Sequence, residues 1–167
     1  MVSYRPMIVG INQYEKLQLL LYAQFDALEL RDFLISEAGL PPQHCALLAD
    51  VAPMVYSGAA FPSRRIIWER LQQTCDQAGP EDLVWFFFSG CGVHWQGQDY
   101  ILPIEADPDQ IGETGLPLNS LLQLLATGPH RSLVTLDMHR PQAGQGISQL
   151  GLQTLELAKS QIGRAHV

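Results

Sequence analysis

Residues Leu83 to Phe88 read LVWFFF and are apolar at every position. A strand with one wet face alternates apolar and polar residues, so a strand without alternation must be covered on both sides. The run is too short for an ordinary buried helix and far too short to cross a bilayer. It predicts a central parallel strand. A parallel neighbour is reached only through a crossover, usually a helix.

The rest of the chain supplies such crossovers. Met7 to Ile11, after Pro6, reads as a first buried strand. Leu20, Ala23, Ala27, Leu30, Phe33 and Leu34 recur at steps of three and four, predicting a helix stopped by Gly39, Pro41 and Pro42. Cys45 to Leu48 reads as a second short strand, and residues 50–62 as an exposed loop. Ser63 is placed to cap a helix carrying Ile66, Ile67, Leu71 and Cys75 and ending at Gly79 and Pro80. After the apolar run, Val93 to Trp95 and Asp99 to Leu102 flank a Gln-Gly-Gln turn and predict a small hairpin. Leu118 to Ala126 reads as a helix with Pro117 at its start, and Ser132 to Leu136 as a fourth main strand. Gln149 to Ser160 reads as a final helix. Strands alternating with helices give an α/β class with a mainly parallel sheet.

Composition narrows the function classes. A chain of 167 residues is expected to form one domain. Its net charge of -7, from 17 acids against 10 bases, argues against nucleic acid or an anionic membrane as partner, because both require clustered Lys and Arg. Three widely spaced Cys make no disulfide framework, and the first residues, MVSYRPMIVG, form no secretory signal. A cytoplasmic location is the expectation. In parallel α/β sheets ligands bind beyond the carboxyl ends of the strands. Two of those ends carry reactive side chains here, Cys91 after the apolar run and His139 after the fourth strand.

These pieces have a recognisable order. IVGINQY at 8–14, YAQFDA at 22–27, FFFSGCG at 86–92, QDYILPIEADP at 98–108 and LVTLDMHR at 133–140 resemble the large-subunit part of a caspase-like cysteine peptidase of the bacterial orthocaspase and metacaspase type. The resemblance runs from about Tyr4 to Gln161. It implies a three-layer sandwich with main strand order 2-1-3-4, a small hairpin after the third strand, and last strands missing from this chain. In the active family a His lies between the glycines of the SGxG segment, and a Cys lies two residues after the Asp that ends the next strand. Backbone N–H groups of that Cys and of the Gly after the His hold the oxyanion. By position the His slot is Cys91, the Cys slot is His139 and the oxyanion glycine is Gly92. Each catalytic slot holds the residue type of the other.

Three functions compete. The first is a pseudo-peptidase. Some relatives carry Tyr in the His slot and Asn in the Cys slot, and Tyr to Cys and Asn to His are single-base changes. The second is an active endopeptidase with a swapped Cys91/His139 dyad. Its nucleophile would then be displaced by several ångströms, where even about 1 Å costs roughly a hundredfold in rate. The third is a metal-binding or structural domain, with Cys91, His94 and His139, and Asp137 near, as conceivable zinc ligands. Neither a metal nor another cofactor is the leading expectation, and calcium is not expected at Asp99.

The substrate pocket is a separate matter. The resemblance implies a preference for Arg or Lys before the cut bond, selected by Asp26, Ser89 and Asp137, all three present. The family's usual Asn before the helix Asp is Phe25 here. The expected partner is a peptide or protein bearing Arg or Lys, together with the missing C-terminal part of the chain itself.

The last six residues, IGRAHV, back-translate as ATC GGA AGA GCA CAC GTC, which resembles a common sequencing adapter beginning AGATCGGAAGAGC. Residues 1–161 are thus expected to be the truncated large-subunit part of a caspase-like domain, and 162–167 adapter read-through. Sequencing the intact gene checks this. A frame departing from IGRAHV after Gln161 is expected, and a genomic clone encoding IGRAHV and then a stop would contradict it.

Overall fold

The computed structural model describes residues 2–50 and 58–141. The helix expected over 149–160, the tail after Gln161 and much of the loop after Asp50 lie outside them. In chain order the elements are β1 (Tyr4–Gly10), α1 (Ala23–Ser36), a 3-10 turn (Pro42–His44), β2 (Ala46–Ala49), α2 (Arg64–Asp76), β3 (Leu83–Trp95), β4 (Gln98–Ile101), α3 (Ile111–Thr114), β5 (Leu116–Pro117), α4 (Leu118–Ala126) and β6 (Arg131–His139).

The apolar run does become the central strand. β3 pairs in parallel with β1 on one side and β6 on the other, and β1 pairs in parallel with β2. The parallel strands therefore lie in the order β2-β1-β3-β6, which is 2-1-3-4 when these four are counted along the chain. β4 and β5 continue from β3 as antiparallel neighbours. Pro6 is accommodated inside β1 because β2 pairs with that strand only from Met7 onward.

Helices cover both faces. Ile67, Leu71 and Cys75 of α2 and Leu118, Leu121, Leu122 and Leu125 of α4 join Met7, Val9, Phe86 and Phe88 in one buried cluster. On the opposite face Ala27 of α1 packs with Ile8, Leu47 and Ala49, flanked by Leu30, Leu34 and Phe87. Ser63 caps α2 as expected, its Oγ accepting from the Ile66 N–H at 3.3 Å. No helix among the described residues is long and apolar enough to cross a membrane.

Four expectations need correction. β3 does not stop at Phe88; it runs on to Trp95, through the SGCG segment and into the hairpin. The reason is a change of partner: β6 pairs with it up to Cys91, and β4 takes over at Gly92. The hairpin turn is tight, with Gln96 and Gly97 both at positive φ, the geometry of a primed two-residue turn. β6 likewise continues past Leu136, so Asp137 is not its last residue and His139 still lies in the strand. α1 starts at Ala23, leaving Leu20 outside it, and Phe33 points outward with 57% of its surface exposed. That helix buries small residues instead, because Gly10 lets it approach closely. A Cβ at Gly10 would stand 2.5 Å from the Ala23 carbonyl oxygen and 2.5 Å from the Ala27 Cβ.

Gly10→Ala is therefore expected to push α1 off β1 and destabilise the fold by about 1–3 kcal/mol. Urea unfolding checks this, and an unchanged midpoint would contradict the close contact.

Candidate functional site

Three polar side chains tie together the carboxyl ends of β1, β2 and β3. Asp50, after β2, accepts through Oδ2 from the backbone N–H groups of Asn12 (3.1 Å) and Gln13 (2.6 Å). The Asn12 Oδ1 accepts from the Gln24 N–H at 2.8 Å, satisfying a free donor at the start of α1 that no residue beside the helix caps. The Tyr14 hydroxyl accepts from the Cys91 N–H at 2.7 Å and donates to the Leu102 carbonyl at 3.1 Å. The IVGINQY segment is thus the bracket that holds α1 and the SGCG segment in place. Burial raises the Tyr14 hydroxyl well above its ordinary value, and the nearby Cys91 adds to the shift. Tyr14 stays protonated and remains a donor.

Cys91 and His139 are register partners on neighbouring strands. Their surroundings differ sharply. Cys91 is wholly buried and belongs to the cluster beneath α2 and α4. Burial pushes its thiol up to about 11, with the Tyr14 hydrogen bond pulling the other way. His139 lies on the outside, its side chain 44% exposed, with Nε2 3.9 Å from the Asp137 carboxylate. No hydrogen bond or ion pair joins Cys91 to His139. Gly92 is crowded as well. A Cβ there would stand 2.2 Å from the Met138 sulfur, so the methionine side chain lies directly on the glycine that the resemblance assigns to the oxyanion.

The acidic pocket is better assembled. Asp26 of α1 and Asp137 of β6 line one open depression of about 490 Å³, together with Glu29, Leu30, Phe33, Trp85 and Phe87. Ser89 lies buried beneath and donates from Oγ to the Asp137 Oδ2 at 3.4 Å. Trp85 is fixed in the floor by its Nε1–H, which donates to the Thr135 Oγ1 at 3.0 Å. Phe25 is turned to solvent, 54% exposed. Asp26, Ser89 and Asp137 are therefore brought to one place by α1, β3 and β6, with a third carboxylate at Glu29. Carboxylates beside aromatic faces suit a guanidinium, which donates bidentate bonds to them and stacks on rings.

The conceivable zinc set is not assembled. His94 turns its Nδ1 to the buried Asp99 carboxylate at 2.6 Å, Cys91 faces the core and His139 faces solvent. Among the described residues no group of three His, Cys, Asp or Glu side chains could hold a metal ion.

Sequence reasoning missed Tyr14, Asn12, Asp50, Met138 and Glu29 at this site. Glu29 was findable, since it follows Asp26 by three residues and shares its helix face. The bonds of Tyr14 and Asp50 span 77 and 37 residues or more, and no local pattern announces them.

The fold is similar to that of protein GSU0716 from Geobacter sulfurreducens in its crystal structure, with a TM-score of 0.60 and 15% identity over 79% of this chain and 48% of the other. The chain thus spans about half the length of that structure, and the likeness speaks for fold alone. No curated protein matches the sequence. A family model described as metacaspase, peptidase C14 domain, matches residues 4–120, which include Asp26, Ser89, Cys91 and Gly92 and end before β6. On that match the chain belongs to the metacaspase family, among the caspase-fold cysteine peptidases of clan CD.

Proposed function

We propose that this domain is a caspase-fold pseudo-peptidase that binds a peptide through an Arg or Lys side chain and does not cleave it. The observation that carries the reading is the contrast between the two halves of the site. Asp26, Glu29 and Asp137 line one accessible depression over Ser89, while Cys91 is sealed in the core. A thiol held near 11 is protonated at neutral pH, and only the thiolate attacks a carbonyl. The exposed imidazole of His139 lies beside Asp137 and not beside a nucleophile. The Met138 side chain over Gly92 further crowds the place where an oxyanion would be received. A swapped dyad would need Cys91 to leave the core and His139 to turn toward it.

Calorimetry on the full-length protein tests the binding half. A short peptide with one Arg is expected to bind saturably, and its Arg→Ala counterpart to bind much more weakly. Asp137→Asn removes one charged acceptor and is expected to weaken the Arg peptide roughly tenfold. Equal binding of the two peptides, or undiminished binding by the variant, would overturn the assignment.

The thiol supplies a second test. At pH 8 a group near 11 is roughly 0.1% thiolate, so iodoacetamide is expected to leave Cys91 unlabelled in the folded protein. Rapid labelling of Cys91 at that pH, read by peptide mass mapping, would contradict its burial. The same upward shift, shared by buried Cys75, has a consequence for stability. Unfolded thiols ionise near 9 while the folded ones hold their protons to about 11. Stability is therefore intact below pH 9 and falls as pH rises from 9 toward 11.

A further inference from the structure

The chain is acidic, yet one cavity gathers its cations. A hollow of about 650 Å³ beside the start of β2 is lined by Arg5, Arg31, Arg70 and His44, with Gln73 and Gln77 on its α2 side. Three of the ten Lys and Arg in the chain meet there, and among the described residues no Asp or Glu lines it. Their positions are constrained. The Arg5 side chain is 21% exposed and spends only its Nε on Asp82, at 2.9 Å. Its Nη nitrogens make no hydrogen bond among the described residues. Arg31, 19% exposed, is held by Asp32. Arg70 is half-buried on α2, and its guanidinium has no partner among the described residues.

Partly buried guanidinium donors without acceptors are costly unless an anion completes them. We propose that this cavity is a binding site for a phosphorylated small molecule of about nucleotide size, with the open donors of Arg5 and Arg70 receiving its phosphates and Arg31 adding to the positive field. The volume falls within the range of small-ligand pockets and exceeds what a lone phosphate fills. Arg forks match phosphate oxygens two at a time, and the amides of Gln73 and Gln77 supply neutral donors for the remainder of the ligand. The site is separate from the acidic pocket. It lies toward the amino-terminal ends of β1 and β2, and Arg5 is about 17 Å along the strand from Gly10 at the other end.

The probes are inorganic pyrophosphate and ADP, titrated calorimetrically into the full-length protein at low and at physiological salt. Saturable binding of both, weakening as salt rises, is expected. Arg70→Gln and Gln73→Glu, both on α2 and away from the strand core, are each expected to weaken it roughly tenfold. Asp137→Asn is expected to leave it unchanged, which separates this site from the peptide pocket. Absence of binding by either probe, or equal binding by both α2 variants and the parent, would overturn the proposal.

Discussion

The parallel pairing of β3 with β6 decides what this domain can do. Ser89 lies opposite Asp137 and Cys91 opposite His139 in one register. Because side chains alternate along a strand, a slip by one residue would turn every one of these groups to the other face. The register is held by apolar packing on both sides of β3, chiefly Phe86 and Phe88 toward α2 and α4 and Phe87 toward α1. Tyr14, Asn12 and Asp50 then fasten the strand ends and the start of α1. Core packing and site geometry are one construction, so the acidic pocket persists as long as the sheet does.

The same construction separates the two halves of the site. The pocket carboxylates remain accessible, whereas Cys91 is wholly buried within the main apolar cluster. Burial there favours a small apolar group, and a protonated thiol meets that demand at no cost in charge. Catalysis needs the opposite, an exposed and ionised sulfur beside a base. A residue suited to the core is thus unsuited to attack, and on the proposed reading recognition and chemistry are independent properties of one fold.

The sequence made the sheet legible because its central strands β1 and β3 are apolar runs with no alternation to misread. Ser63 was legible as a cap because its partner lies three residues away. The length of β3 was not, because SGCG has the composition of a turn and only its ladders with β6 and β4 make it a strand. β5 and α3 are too short to leave a pattern. Phe33 fitted the helical spacing but faces solvent, since Ala23 and Ala27 take the closest contact with β1 at Gly10. That Asp26, Ser89 and Asp137 would lie together followed from the family resemblance. The burial of Cys91 and the cover of Met138 over Gly92 were not legible, because both depend on which way a side chain turns after the sheet has formed.

The most direct test of the proposal that this domain recognises a basic side chain without cutting beside it is turnover. The full-length protein would be incubated with a fluorogenic peptide carrying Arg before the scissile bond, in parallel with its Cys91→Ala variant. Fluorescence release at the background rate, identical for both proteins, is the predicted result. Release by the parent protein that disappears in Cys91→Ala would contradict the account.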